Sequence, residues 1–181
     1  SMIADCRIVW GGATAVKAIM ALPQKEHCDT IVFGPKYSFG VFDHNYIESE
    51  HFGKGLTDAV QDVVVFNQMA CSSPHVYFFE KSRYTIREIA SLMKDRFEKL
   101  PPKFYAQEIP EGIAAEILTE RGRYLLDDEK DILKSDDLHW TILMNKNINL
   151  EEPLQGRCIF IKEVDDITQV LPLITRKIQA M

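Results

Sequence analysis

Asp62-Val63-Val64-Val65-Phe66-Asn67-Gln68-Met69-Ala70-Cys71-Ser72-Ser73-Pro74-His75-Val76-Tyr77-Phe78-Phe79 changes its hydrophobic period partway along. Upstream, Leu56, Ala59, Val60, Val63 and Val64 recur at the spacing of one helical face. That predicts a helix over Leu56–Asn67 despite its β-branched run. Ser72-Ser73-Pro74 breaks the pattern, and Val76–Phe79 is then a continuous apolar run of the kind found in a buried strand. Cys71 therefore falls among small residues in a helix-to-strand loop.

Similar units lie on both sides. Arg7–Trp10 predicts a strand running into Gly11-Gly12, and Thr14–Leu22 a helix stopped by Pro23. Thr30–Phe33 is a second strand, closed by Gly34-Pro35, and Ser38–Phe42 is a third, followed by a polar stretch at His44–Phe52. Thr85 is an N-cap with Glu88 three residues on, and Ile86, Ile89, Leu92, Met93 and Phe97 carry one helical face as far as Pro101-Pro102. A helix over Glu111–Leu125, strands at Ile132–Lys134, Thr141–Met144 and Cys158–Ile161, and a closing helix from about Ile167 to Lys177 follow. Asn145–Gly156 is the long connection. Strands alternating with helices predict an α/β layered domain.

Composition excludes several functions. The 181 residues are 46% hydrophobic, enough for one sizeable core. The net charge of -6, with basic residues scattered along the chain, argues against a nucleic-acid partner. No apolar run approaches the roughly 20 residues of a membrane-spanning helix. No signal segment opens the sequence, and Ser1 reads as a cloning remnant followed by Met2, an initiator or internal methionine. A water-soluble, cytoplasmic protein is expected. Cys6, Cys28, Cys71 and Cys158 are widely spaced, which suggests reduced thiols rather than a disulfide framework or a zinc site. His44, His51 and His139 lack metal-ligand spacing and read as surface or packed residues, so no metal dependence is expected.

Cys71 is the first candidate for chemistry. A thiolate attacks a thioester or aldehyde carbonyl, and backbone N–H groups of such a loop can face the developing oxyanion. The competing reading is a packed small residue in a tight turn. Gly11 and Gly12 are either a tight strand-to-helix turn or a pyrophosphate contact at a helix N-terminus. Lys36 is a phosphate contact or, more simply, a solvated turn residue. Asn67 and Gln68 either orient the cysteine loop and polarise an acyl oxygen or cap the preceding helix, the structural role being favoured. His75 invites a Cys-His dyad, but closeness in sequence does not bring its ring to the sulfur. Trp140, Ile142 and Met144 alternate as in a buried strand, and Phe39, Phe42, Phe78 and Phe79 read as core.

Val9-Trp10-Gly11-Gly12, Phe33-Gly34-Pro35-Lys36-Tyr37-Ser38 and Asp62 to Pro74, with weaker support from His139-Trp140-Thr141, occur in an order that resembles one known family. It is the LuxC-type fatty acyl-CoA reductases of bacterial luminescence operons, a branch of the aldehyde dehydrogenase superfamily. The resemblance implies an aldehyde-dehydrogenase-like catalytic domain, with a mostly parallel sheet flanked by helices and the cofactor domain largely outside this sequence. Residues 1–22 would be the tail of the nucleotide-binding domain, and residues 23–181 the cysteine-bearing catalytic domain. The residue matching Cys71 would accept the acyl group from acyl-CoA or an acyl-protein, and NADPH would reduce the thioester to fatty aldehyde. Gly11 and Gly12 match the turn beside the dinucleotide pyrophosphate. Acyl-protein synthetase and acyltransferase subunits are the implied partners, with a homo-oligomer for the full-length protein.

One departure from the superfamily bears on the reaction. Oxidative members carry Glu-Leu-Gly-Gly-Lys, whose glutamate activates hydrolytic water; here the stretch is Val32-Phe33-Gly34-Pro35-Lys36. Valine cannot serve as that base, so reduction of the thioester is favoured over hydrolysis. Two other classes compete: an acyl-transfer subunit that holds an acyl-cysteine without hydride chemistry, and a non-catalytic scaffold.

Overall fold

The computed structural model describes residues 3–181, so Ser1 and Met2 lie outside it. Two compact units divide the chain, one ending at Lys36 and the other running from Tyr37 to Met181. In the first, β1 (Cys6–Trp10), α1 (Ala13–Met20) and β2 (Asp29–Phe33) form a strand-helix-strand unit. The two strands pair in parallel from Cys6↔Asp29 to Trp10↔Phe33. Arg7 extends from β1 to the end of α1, where its Nη1 donates to Ile19 O at 2.9 Å. A cation at that end meets carbonyls the helix leaves unpaired.

The second unit is built on a six-stranded sheet of order β5-β6-β7-β4-β3-β8. Its strands are β3 (Tyr37–Phe42), β4 (Pro74–Glu80), β5 (Asp131–Lys134), β6 (Thr141–Met144), β7 (Cys158–Val164) and β8 (Ile178–Ala180). Only β5 and β6 pair antiparallel; the other neighbours are parallel. The expected α/β architecture with a mostly parallel sheet is therefore present. Its helices are α2 (His44–Glu48), α3 (Phe52–Val64), α4 (Ile86–Lys99) and α5 (Glu111–Leu125). None of the helices among the described residues is long and apolar enough to cross a membrane.

Alternation along the strands explains the layers. Tyr77, Phe79, Ile142, Met144, Ile159 and Ile161 join Leu56, Val60 and Val63 of α3 and Ile89, Met93 and Phe97 of α4 in one core. Val76, Phe78, Leu143, Cys158 and Phe160 join Ile117 and Tyr124 of α5 in another. A sheet buried on both faces needs apolar side chains at consecutive positions, which is why β4 reads as an unbroken hydrophobic run. Phe39, Phe42, Phe78 and Phe79 are core residues, and Trp140 stacks on Phe97 with ring centroids 5.7 Å apart. The expected capping box is present, with Thr85 Oγ1 accepting from Glu88 N and Glu88 accepting from Thr85 N.

Three elements differ from the sequence reading. The helix expected to reach Asn67 ends at Val64, because Val65 turns to extended backbone at φ -60°, ψ 133°. The polar stretch His44–Phe52 holds α2, started by Asp43, whose side chain accepts from Tyr46 N. The closing helix is a 3₁₀ turn over Ile167–Leu173, interrupted by Pro172, and the chain then extends as β8 along β3. Proline removes the donor a longer helix would need, and the free edge of β3 offers backbone partners instead.

β7 also runs past its expected end at Ile161, through Lys162, which is fully buried. Its Nζ donates to Asn149 O at 3.0 Å, Asn149 Oδ1 at 2.5 Å and Glu151 Oε1 at 2.7 Å. Burial alone would raise the Glu151 carboxyl, but the ammonium reverses this and holds it below its ordinary range; the Lys162 ammonium is itself lowered by burial. Asn145 adds bonds to Tyr124 Oη at 2.6 Å and to Glu151 at 3.0 Å, so the connection between β6 and β7 is fastened to the sheet.

His75, on β4, is buried, its Nδ1 has no partner among the described residues, and burial pulls its imidazole down to about 4. Its ring lies 5.4 Å from that of Tyr37.

Two stability measurements test these assignments. In urea unfolding, Glu151→Ala should cost about 3 kcal/mol by stranding the ammonium, whereas replacing both partners, Lys162→Met with Glu151→Leu, should change stability by no more than about 1 kcal/mol. Equal losses in the single and the double variant would contradict a paired buried charge. For His75, the unfolded chain takes up its proton near 6.5 and the folded chain only near 4, so stability is complete above about pH 6.5 and falls as the pH drops toward 4. The loss should reach roughly 3 kcal/mol, and His75→Leu should remove that part of the slope. An unchanged slope in this variant would show that the ring is not buried in its neutral form.

Candidate functional site

After Val65 the chain takes three consecutive left-handed residues, Phe66, Asn67 and Gln68, at φ 55°, 52° and 61°. None is glycine, so each costs about 1–2 kcal/mol unless its surroundings compensate. Compensation comes from across the sheet. The buried Gln68 amide donates through Nε2 to Pro74 O at 2.7 Å and Cys158 O at 2.9 Å, while its Oε1 accepts from Cys158 N at 2.9 Å. Asn67 Oδ1 accepts from Arg157 Nη1 at 2.7 Å, and Asn67 Nδ2 donates to Glu108 O at 3.2 Å.

A second left-handed run faces the first. Gln155, Gly156 and Arg157 have φ of 59°, 60° and 65°, and Gly156 N donates to Asn67 O at 2.9 Å. Glycine suits that position on two counts: it adopts the positive φ without strain, and a Cβ would stand 2.8 Å from Ile117 Cδ1 and 3.0 Å from Ile113 Cγ2 on α5. Asn67 and Gln68 therefore have a structural role, but not as caps of α3. They clasp the start of β7 and leave the residues that follow them, Met69 to Ser73, as a loop leading to β4.

Cys71 sits on that loop and is exposed. Its carbonyl accepts from Ser38 Oγ at 2.7 Å, and Ser73 N donates to Ala70 O at 3.0 Å, which closes the turn around the thiol. Cys28 and Cys158 are buried, and burial pushes the Cys158 thiol far above the ordinary range. Cys6 is exposed and opens strand β1. Among the described residues no hydrogen bond joins His75 to Cys71, and the buried imidazole is neutral around pH 7. It is not built as the imidazolium half of a dyad.

Gly11 and Gly12 belong to the first unit. Gly11 has φ 149°, and a Cβ there would lie 3.4 Å from Ala15 Cβ. Gly12 is the N-cap of α1, whose first turn carries no acidic residue and no side-chain cap. Val32 is 44% exposed on β2, and Lys36 is exposed between β2 and β3. Ser38 and Arg157 were not among the candidates from sequence. Their parts in the loop depend on partners 33 and 90 residues away, a separation at which spacing carries no signal.

The chain matches the family model described as "Acyl-CoA reductase (LuxC)" over residues 1–181. It is 30% identical over 181 residues to a protein of Photorhabdus luminescens named long-chain acyl-protein thioester reductase, covering 96% of this chain and 34% of that protein. It is 25% identical over 173 residues to a protein of the same name from Vibrio harveyi, covering 92% of this chain and 34% of the relative. The chain thus spans about a third of the length of these relatives. Among solved structures, an NAD-dependent benzaldehyde dehydrogenase from Corynebacterium glutamicum matches with a TM-score of 0.66 at 12% identity, over 96% of this chain and 39% of that one. An NAD-dependent aldehyde dehydrogenase from Burkholderia multivorans matches with a TM-score of 0.65 at 14% identity, over 93% of this chain and 33% of that one. These likenesses identify an aldehyde-dehydrogenase-like fold, and with the family match over its whole length the chain belongs to the acyl-CoA reductase (LuxC) family.

Proposed function

We propose that this chain carries the nucleophile of an enzyme that reduces a long-chain fatty acyl thioester to fatty aldehyde, with Cys71 forming the acyl-enzyme. The observation that carries the reading is an exposed thiol on a loop whose entry is fixed by two buried amides and whose own carbonyl is held by Ser38. A reactive group on a loop fixed by a rigid frame meets its substrate without paying again for order. The names of the relatives support the acyl thioester as substrate, whether the donor is acyl-CoA or an acyl-protein.

In the first half-reaction the Cys71 thiolate bonds to the acyl carbon, and the donor's thiol leaves with the proton that Cys71 gave up. A bound nicotinamide, NADPH in this reading, would supply a hydride to the acyl carbon, and Cys71 would leave as its thiolate with aldehyde as the product. Gly11, Gly12 and the first turn of α1 fit a pyrophosphate: the turn has no Cβ in the way at Gly12, and no carboxylate or side-chain cap competes for its N–H groups. Val32 offers no base to activate water, which favours persistence of the thioester until reduction. By the same family reading, the enzyme works in the cytoplasm as a homo-oligomer with acyl-protein synthetase and acyltransferase subunits, and its aldehyde serves bacterial luminescence.

The test uses full-length enzyme, a long-chain acyl-CoA, and NADPH or NADH. Site-resolved mass spectrometry should find the acyl group on Cys71 before reductant is added, and NADPH should discharge it as aldehyde. Cys71→Ala should lose the adduct and lower aldehyde formation by at least about a thousandfold. An adduct that leaves NADPH unconsumed would instead identify an acyl-transfer subunit. No adduct on wild-type protein would point to a scaffold.

A further inference from the structure

Arg157 is 2% exposed, yet no carboxylate pairs with it among the described residues. Nη1 donates to Asn67 Oδ1 at 2.7 Å and to Gln107 O at 3.4 Å, the guanidinium carbon lies 5.4 Å from the centre of the Tyr105 ring, and Nε has no partner among the described residues. A guanidinium keeps its charge even when burial lowers its pKa, so a full positive charge is held here by dipoles, one aromatic face and the field of the Asp137 carboxylate. Arg157 itself lies at φ 65°, which adds backbone strain to the cost of burial.

Arg121 provides the contrast. It is also buried without a carboxylate bond, but Thr141 Oγ1, Ser135 O, Asp137 O and Trp140 O accept from all three of its nitrogens. Its contacts hold together the end of α5 and the turn before β6, and none reaches the cysteine loop. The shortest bond of Arg157, by contrast, goes to Asn67, the middle residue of the left-handed run and four positions before Cys71.

We infer that Arg157 is a positioning residue for Cys71: by gripping Asn67 it fixes the left-handed exit from α3 and so the place at which the thiol is presented. This rests on the reading of Cys71 as the nucleophile. Two contacts make the grip directional. Gly156 N holds the Asn67 carbonyl while Arg157 holds its side chain, so Asn67 is restrained at both ends of the residue. Without the guanidinium, Asn67 keeps its backbone bond and the longer Nδ2 bonds to Gln107 O and Glu108 O but loses the shortest restraint on the side chain of a residue in a costly conformation.

The experiment is a double-mutant cycle on the full-length protein, with Arg157→Met, Asn67→Gly and the double variant. Arg157→Lys is the conservative rescue and Arg121→Met the control for simple destabilisation. Glycine at position 67 tolerates the positive φ, so that variant removes the grip with little backbone penalty. Site-resolved mass spectrometry follows Cys71 acylation by a long-chain acyl-CoA and alkylation by iodoacetamide, on protein shown by circular dichroism to be folded. Each single change should slow acylation about ten- to a hundredfold, and the double variant should be no slower than the worse single one. Arg157→Lys should recover part of the rate. Arg121→Met should lower the melting temperature while leaving the Cys71 rates within about twofold of wild type.

Multiplicative losses in the double variant, or a folded Arg157→Met with wild-type rates, would overturn the inference. If Arg157→Met does not fold, Asn67→Gly and Arg157→Lys decide: wild-type rates in both overturn it, and slowed rates in both uphold it. Should wild-type Cys71 take up iodoacetamide but no acyl group, the nucleophile reading fails, and the alkylation rates alone still decide whether Arg157 sets the loop.

Discussion

The side-chain amide of Gln68 does the work of a missing strand residue. It donates to Pro74 and Cys158 and accepts from Cys158, thereby joining the first residues of β4 and β7 just before their own ladder begins at Val76 and Phe160. An amide side chain carries the same donor and acceptor as a peptide group, so it can complete a ladder from outside the strand. Everything at the cysteine loop follows from that bridge. The left-handed course of Phe66 to Gln68 is tolerable only because its last two residues are buried and bonded, and the loop after them begins from a fixed point.

Local signals made much of the framework legible in the sequence. Thr85 and Glu88 mark a helix start with two reciprocal bonds, both present, and α5 occupies the interval that its periodicity implies. Strand β4 could be read because a sheet covered on both faces leaves no polar positions to confuse the pattern. The closing segment was misread for an equally local reason. Apolar residues around Pro172 have helical spacing, but the choice between helix and strand fell to the open edge of β3, which periodicity does not register.

The site divides along the same line. Cys71 stood out because small residues at the junction of two elements are visible in the string. The clasp did not, since its bonds join residues 90 positions apart. Asn67 and Gln68 looked like helix caps, which is what amides after a helical run usually are. Lys162 was equally hidden: a charged residue ends a strand pattern unless its counter-charge, here Glu151, is known to fold back over it. The sequence therefore disclosed the candidate thiol and withheld what holds its loop.

That long reach also orders events in time. During synthesis the segment bearing Cys71 emerges well before β7, and until Cys158 is available Gln68 has nothing to bridge to. Contacts between distant parts of a chain form late because the intervening polymer must first be drawn together. The thiol is thus organised only once the body of the domain is assembled, and an ordered cysteine loop is a mark of a chain that has finished folding.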